Sequence, residues 1–186
     1  MFPRSISQLK NLFVLGVIVL LAVACGTSST SDKAPTVVEP SGGGGASGAG
    51  LPKTNGAAVM AYLKDLDYQG SWQLWPGKGE LYEGAEPHGM LLTTYLDKTA
   101  FDALADKAGI MPVGSIVVKE NYTPDKVLDA TTVMYKVAGY NPEINDWFWA
   151  KLGNDGAVLA EGQVAGCQTC HGQKKDNDFI WTGPLK

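Results

Sequence analysis

The chain has few cysteines and fewer histidines, three and two among 186 residues. So few thiols do not make a disulfide framework: Cys167 and Cys170 lie three residues apart, and Cys25 stands alone at the other end. There is no excess of positive charge either, and a formal net charge of −4 argues against a nucleic-acid partner. The apolar run from Leu12 to Ala24 (LFVLGVIVLLAVA) falls short of the roughly 20 residues that a transmembrane helix needs. Residues 26–50 contain almost nothing large, and such a stretch cannot bury enough apolar surface to offset its ordering entropy.

What is present divides the chain into three parts. Arg4 and Lys10, the short apolar run and small residues before Cys25 have the layout of a secretory signal over residues 1–24. The end of that run, Leu21-Ala22-Val23-Ala24-Cys25, resembles the lipobox of bacterial lipoproteins. The resemblance implies that Cys25 is lipidated and becomes the mature N-terminus. The protein would then be exported and held by lipid to a membrane, facing the periplasm or the cell surface. Residues 25–50 read as the lipidated cysteine and a flexible Gly/Ser-rich tether. Residues 51–186 are long enough for one compact domain with one core, and they hold all five Trp.

Within that segment the periodicity predicts an N-terminal helix over 55–67, where Ala58, Tyr62 and Leu66 share a stripe with Val59 and Leu63. The Gly/Pro-rich stretch containing Trp72 and Trp75 reads as irregular, packed by its aromatics. From His88 onward the pattern is mostly β. MLLTTYL (90–96), GSIVVKENY (114–122), TTVMYKVAG (131–139), DWFWAKL (146–152) and AVLAEG (157–162) read as strands. Asp97 caps one inserted helix over 98–109, and Asn154-Asp155-Gly156 supplies a hairpin turn. Alternation places Trp147 and Trp149 on one face of their strand and Phe148 on the other. Lys136 and Lys151 read as solvated. The fold class is α+β: a mainly antiparallel β-sheet with an N-terminal helix, one inserted helix and a C-terminal segment that carries the chemistry.

That segment contains Cys167-Gln168-Thr169-Cys170-His171, a C-x-x-C-H motif. Two thiols at this spacing can add to the two vinyl groups of one haem, and the following imidazole is then held under the iron as its proximal ligand. A redox dithiol is the alternative reading of the same cysteines. A zinc site would need further ligands, and His88 is the one other His.

The order of PHGMLLTTYLD, MPVGSIVVKENY, VMYKVAGYNPEINDWFWAKL, VAGCQTCHG and DNDFIWT, over about residues 87–182, resembles the cytochrome P-460 family, which includes the cytochromes c′-beta. The resemblance implies a largely antiparallel β fold, a homodimer, and one covalent haem c on Cys167, Cys170 and His171 with an open or weakly held distal site; five-coordinate, high-spin ferric iron is the expectation for this chain. It also implies that Lys119 faces the haem; in cytochromes P-460 proper the matching lysine is bonded to a meso carbon of the porphyrin. Hydroxylamine-oxidising members carry an Arg and a carboxylate where this chain has Leu92 and Met134, which leaves a more apolar pocket. His88 then stands as a distal acid/base, a sixth iron ligand or a plain turn residue, with Glu83 and Glu86 nearby. Three functions follow: an enzyme acting on hydroxylamine or NO and passing electrons to a soluble redox partner, an NO- or CO-binding protein without turnover, or an electron-transfer cytochrome.

Overall fold

The computed structural model describes residues 50–186; the signal segment, Cys25 and nearly all of the tether lie outside the described residues. The element order is α1 (Gly56–Asp65), α2 (Tyr68–Ser71), β1 (Gln73–Leu74), β2 (Tyr82–Glu83), β3 (Leu91–Leu96), α3 (Lys98–Ala105), β4 (Ile116–Tyr122), β5 (Leu128–Lys136), β6 (Trp147–Gly153), β7 (Val158–Gly162) and α4 (Ala165–His171). Short 3-10 turns cover Pro142–Ile144 and Gly172–Asn177.

Both helix starts follow from their caps. The Asn55 side chain accepts from Ala58 N, and that of Asp97 from Ala100 N, satisfying amides that a helix N-terminus leaves orphaned. The inserted helix ends earlier than its periodicity predicts, with Asp106 as its C-cap. The stretch expected to be irregular begins at the last residue of α2 and contains two two-residue strands. β1 and β2 both pair with β3, which gives them a ladder that neither could hold alone.

All seven strands form one antiparallel sheet, in the order β1-β3-β4-β5-β6-β7 with β2 also on β3. Helix α1 covers one face: Val59 and Leu63 pack with Ile116, Val118, Val133, Tyr135, Phe148 and Leu152. The other face carries Leu96, Val117, Met134, Trp147 and Trp149 against α3 and the C-terminal Phe179, Ile180 and Leu185. The run Trp147-Phe148-Trp149 therefore feeds two cores, as its alternation requires. The second face is covered only in part, and a cavity opens beside its core.

Candidate haem site

Strand alternation puts Val117, Lys119 and Asn121 of β4 on the same side. Register carries that side across the sheet: Val117 pairs with Met134 and Met134 with Trp149, Lys119 pairs with Thr132 and Thr132 with Lys151, and Asn121 pairs with Ala130. These residues floor a cavity of about 680 Å³. Cys167, Cys170 and His171 of α4, with Ile180, Trp181 and Thr182, line it as well, and the loop from Glu86 to Met90 forms a side wall. A second space of about 500 Å³ shares His88, Lys119, Cys170 and His171 and reaches Leu92, Lys78, Tyr82, Glu83 and Glu86. His88, Lys119, Cys167, Cys170 and His171, scattered over 84 positions of sequence (88 to 171), thus converge on one cavity. Leu92 and Met134, read as the apolar replacements, are both buried, Met134 lining the first cavity and Leu92 the second.

Helix α4 is short, and Cys167 and Cys170 three residues apart lie along one of its faces. The two thiols are free, and burial pushes that of Cys167 up. His171 ends the helix and is buried. Its Nδ1 lies 2.6 Å from the carbonyl oxygen of Phe179; a carbonyl only accepts, so Nδ1 donates and Nε2 is left for another partner. Burial lowers the His171 pKa, so the ring is neutral at pH 7 and Nε2 carries a lone pair.

The acceptor on Phe179 is held in place by an unusual turn. Asp178 and Phe179 both have left-handed backbone, φ 52° and 64°, which costs a non-glycine residue free energy. Lys136 Nζ offsets that cost by bonding both Asp178 carboxylate oxygens, at 2.6 and 2.8 Å. Met111 N and Asn145 Nδ2 donate to the same carboxylate, and Trp147 Nε1 donates to the Asp178 carbonyl. The expectation of a solvated Lys136 is therefore corrected: it is 5 % exposed, because its charge is paired 42 residues away in sequence with a carboxylate that no local pattern reveals. Lys151 lies on the cavity wall.

In the same cavity, His88 Nδ1 lies 2.9 Å from Asn121 Oδ1. Burial and then the Lys119 ammonium push the His88 pKa down to about 4. Burial, with a smaller contribution from Lys78, lowers Lys119 to about 8. The His88 and His171 ring centres are 6.3 Å apart, and that of Trp149 is 6.1 Å from His171. Sequence reasoning did not single out Asn121, although its place two residues after Lys119 puts it on the same face. The Phe179 carbonyl is a backbone group and left no sequence signal.

Haem fits these residues. The cavity volume lies in the range of ~300–1,000 Å³ usual for cofactor pockets. The lining is mostly apolar, with two lysines, Lys119 and Lys151, that form no ion pair among the described residues and suit the two propionates of a haem. The indole N–H of buried Trp149, also in the lining, has no partner, the kind of orphan donor a bound group satisfies. No cluster of three or more His, Cys, Asp or Glu able to hold a metal ion occurs among the described residues, so a zinc centre lacks its donor set.

Comparison with known proteins agrees with this fit. No curated protein matches the chain. The sequence model of the cytochrome P460 family, described as Cytochrome P460, matches residues 71–182, which is more than half of the chain and runs from α2 through the cavity-lining Thr182. The chain therefore belongs to the cytochrome P460 family, and haem is its cofactor.

Proposed function

We propose that the protein is a mono-haem c-type cytochrome that binds small nitrogen ligands, NO foremost, at its iron. Cys167 and Cys170 would each add S–H across a haem vinyl group, sulfur to one carbon and hydrogen to the next, so attachment needs no oxidant. His171 would be the proximal ligand through Nε2. The observation that carries this reading is the Nδ1–H bond from His171 to the Phe179 carbonyl, in a ring that shares its cavity with both thiols. Metal-binding histidines are oriented and made more basic by such a bond.

When bound, haem supplies a redox-active iron with a coordination site for a diatomic or a hydroxylamine nitrogen. The chain's own residues orient the iron through His171 and exclude water with Met134, Val117, Ala130 and Leu92. This wall favours binding over turnover, because oxidising hydroxylamine releases protons and a mostly apolar lining offers few acceptors. Lys119 and His88 are the groups that would serve as acid or base if turnover occurs. An electron-transfer role is the second reading, favoured by the His88 ring lying 6.3 Å from that of His171 in one cavity.

The remaining features extend the proposal. Lipid on Cys25 and the tether would hold the domain outside the cytoplasmic membrane, where bacterial haem c is attached. A soluble redox partner would reduce the iron, and the protein would form homodimers. The pyridine haemochrome spectrum of protein made with working maturation machinery tests the core of this reading. A c-type spectrum is expected, and a b-type spectrum contradicts thioether attachment. Addition of NO to the reduced protein should shift its absorption stoichiometrically, and the absence of any shift contradicts ligand binding. Partition of the protein into the membrane fraction, lost in Cys25→Ser, tests the anchor; equal release of both forms contradicts it.

A further inference from the structure

The two imidazoles of this chain line one cavity and are prepared in the same way. Asn121 decides the tautomer of His88. Its Nδ2 donates to the carbonyls of Lys119 and Ala130, both at 3.0 Å, and reaches Thr132 Oγ1 at 3.3 Å. The amide is thereby oriented by the β4–β5 ladder, and Oδ1 is the atom left for His88. An amide oxygen only accepts, so His88 Nδ1 carries the proton and the neutral ring keeps its lone pair on Nε2. His171 is arranged alike, with Nδ1 on the Phe179 carbonyl.

We propose that His88 Nε2 is the second axial ligand of the haem iron, opposite His171, so that the resting protein is six-coordinate and an external ligand binds only by displacing His88. The inference rests on the haem reading above and deepens it. Two imidazoles that share one metal ion through bonds of about 2 Å place their ring centres roughly 6.4 Å apart, and the observed separation is 6.3 Å. Each ring also has the outer hydrogen-bond acceptor expected of a metal-binding histidine. The loop that carries His88 is pressed onto the sheet: a Cβ on Gly89 would lie 2.5 Å from both the backbone N and O of Tyr122. Only glycine permits that approach, which sets the preceding residue, His88, over Asn121. The distal site would then be closed by the chain itself, in place of the five-coordinate iron expected from the sequence. The loop of residues 86–90 would act as the gate, since His88 can leave the iron only if the loop or its own side chain moves.

The test is electronic absorption and near-infrared magnetic circular dichroism of the full-length ferric holoprotein, beside His88→Ala, His88→Met and Asn121→Leu. The wild type is expected to be low-spin with a bis-imidazole signature, and His88→Ala high-spin, returning to low-spin on addition of imidazole. His88→Met guards against misfolding of the alanine variant, because a thioether ligand at the same position gives a distinct His/Met signature. Asn121→Leu is expected to retain a low-spin fraction while weakening the bond, seen as tighter binding of external ligand. If His88 occupies the iron in nine-tenths of molecules, the apparent CO affinity of the ferrous His88→Ala protein rises about tenfold or more. A high-spin wild type with covalently retained haem overturns the proposal alone, as does a His88→Ala spectrum identical to wild type. A wild type that retains no haem overturns the underlying reading and this proposal with it.

Discussion

Replacing Lys136 by Met tests the support behind the turn that holds His171. The Lys136 and Asp178 side chains are 6 % and 0 % exposed, and their closest oxygen–nitrogen distance is 2.6 Å. Burial lowers the Lys136 pKa, and the Asp178 carboxylate works against that shift. Lys136→Met leaves the carboxylate buried with two neutral donors, Met111 N and Asn145 Nδ2, and no cation. Removing one partner of a buried pair costs about 3–5 kcal/mol, mostly the desolvation of the charge left behind. Methionine approximates the volume of the lysine stem, so a cavity contributes little. Adding Asp178→Asn neutralises the stranded charge, keeps an acceptor for Met111 N and tolerates the left-handed backbone. The double variant should therefore recover at least half of the loss, and the two substitutions should be strongly non-additive. Urea unfolding of the holoproteins followed by tryptophan fluorescence measures both. A Lys136→Met loss under about 1 kcal/mol, or purely additive variants, would refute the reasoning.

Two further outcomes follow from the geometry. Because the Lys119 pKa falls from 10.5 to about 8 on folding, the unfolded chain holds a proton that the folded one lacks between those values. Wild-type stability should thus rise relative to Lys119→Met as pH increases from about 8 to 10.5, read from urea midpoints across that range; a parallel pH dependence contradicts it. Gly89→Ala forces a methyl against the Tyr122 backbone, and relief of such overpacking costs about 1–3 kcal/mol. The same variant should raise the high-spin fraction of the iron, and an unchanged melting temperature and spectrum would count against a loop fixed by that approach.

Much of the fold was legible because its signals are local. Asn55 and Asp97 announce helix starts by side-chain chemistry. The alternation of Ile116-Val117-Val118-Lys119 sends Lys119 to the cavity, while the next residue, Glu120, is buried on the other face under Tyr68, Gln69 and Tyr122. The C-x-x-C-H spacing named three of the cavity residues outright. What escaped depends on partners distant in sequence. β1 and β2 are strands only because β3 lies beside them. Lys136 is buried only because Asp178 is there to pair with it. The tautomer of His88 follows from Asn121, 33 residues on, and the orientation of His171 from a backbone carbonyl. Pattern reading assigns faces and motifs, whereas these pairings emerge only when segments distant in sequence are brought together, the C-terminal turn at Asp178 and Phe179 among them.

A covalent bond between this chain and its porphyrin is the central requirement of a c-type haem here. Intact mass of the holoprotein under denaturing conditions measures it directly, with Cys167→Ser/Cys170→Ser as the control. A polypeptide heavier by one haem is expected in the wild type and bare polypeptide in the control. A wild-type chain that sheds its haem on denaturation would contradict covalent attachment.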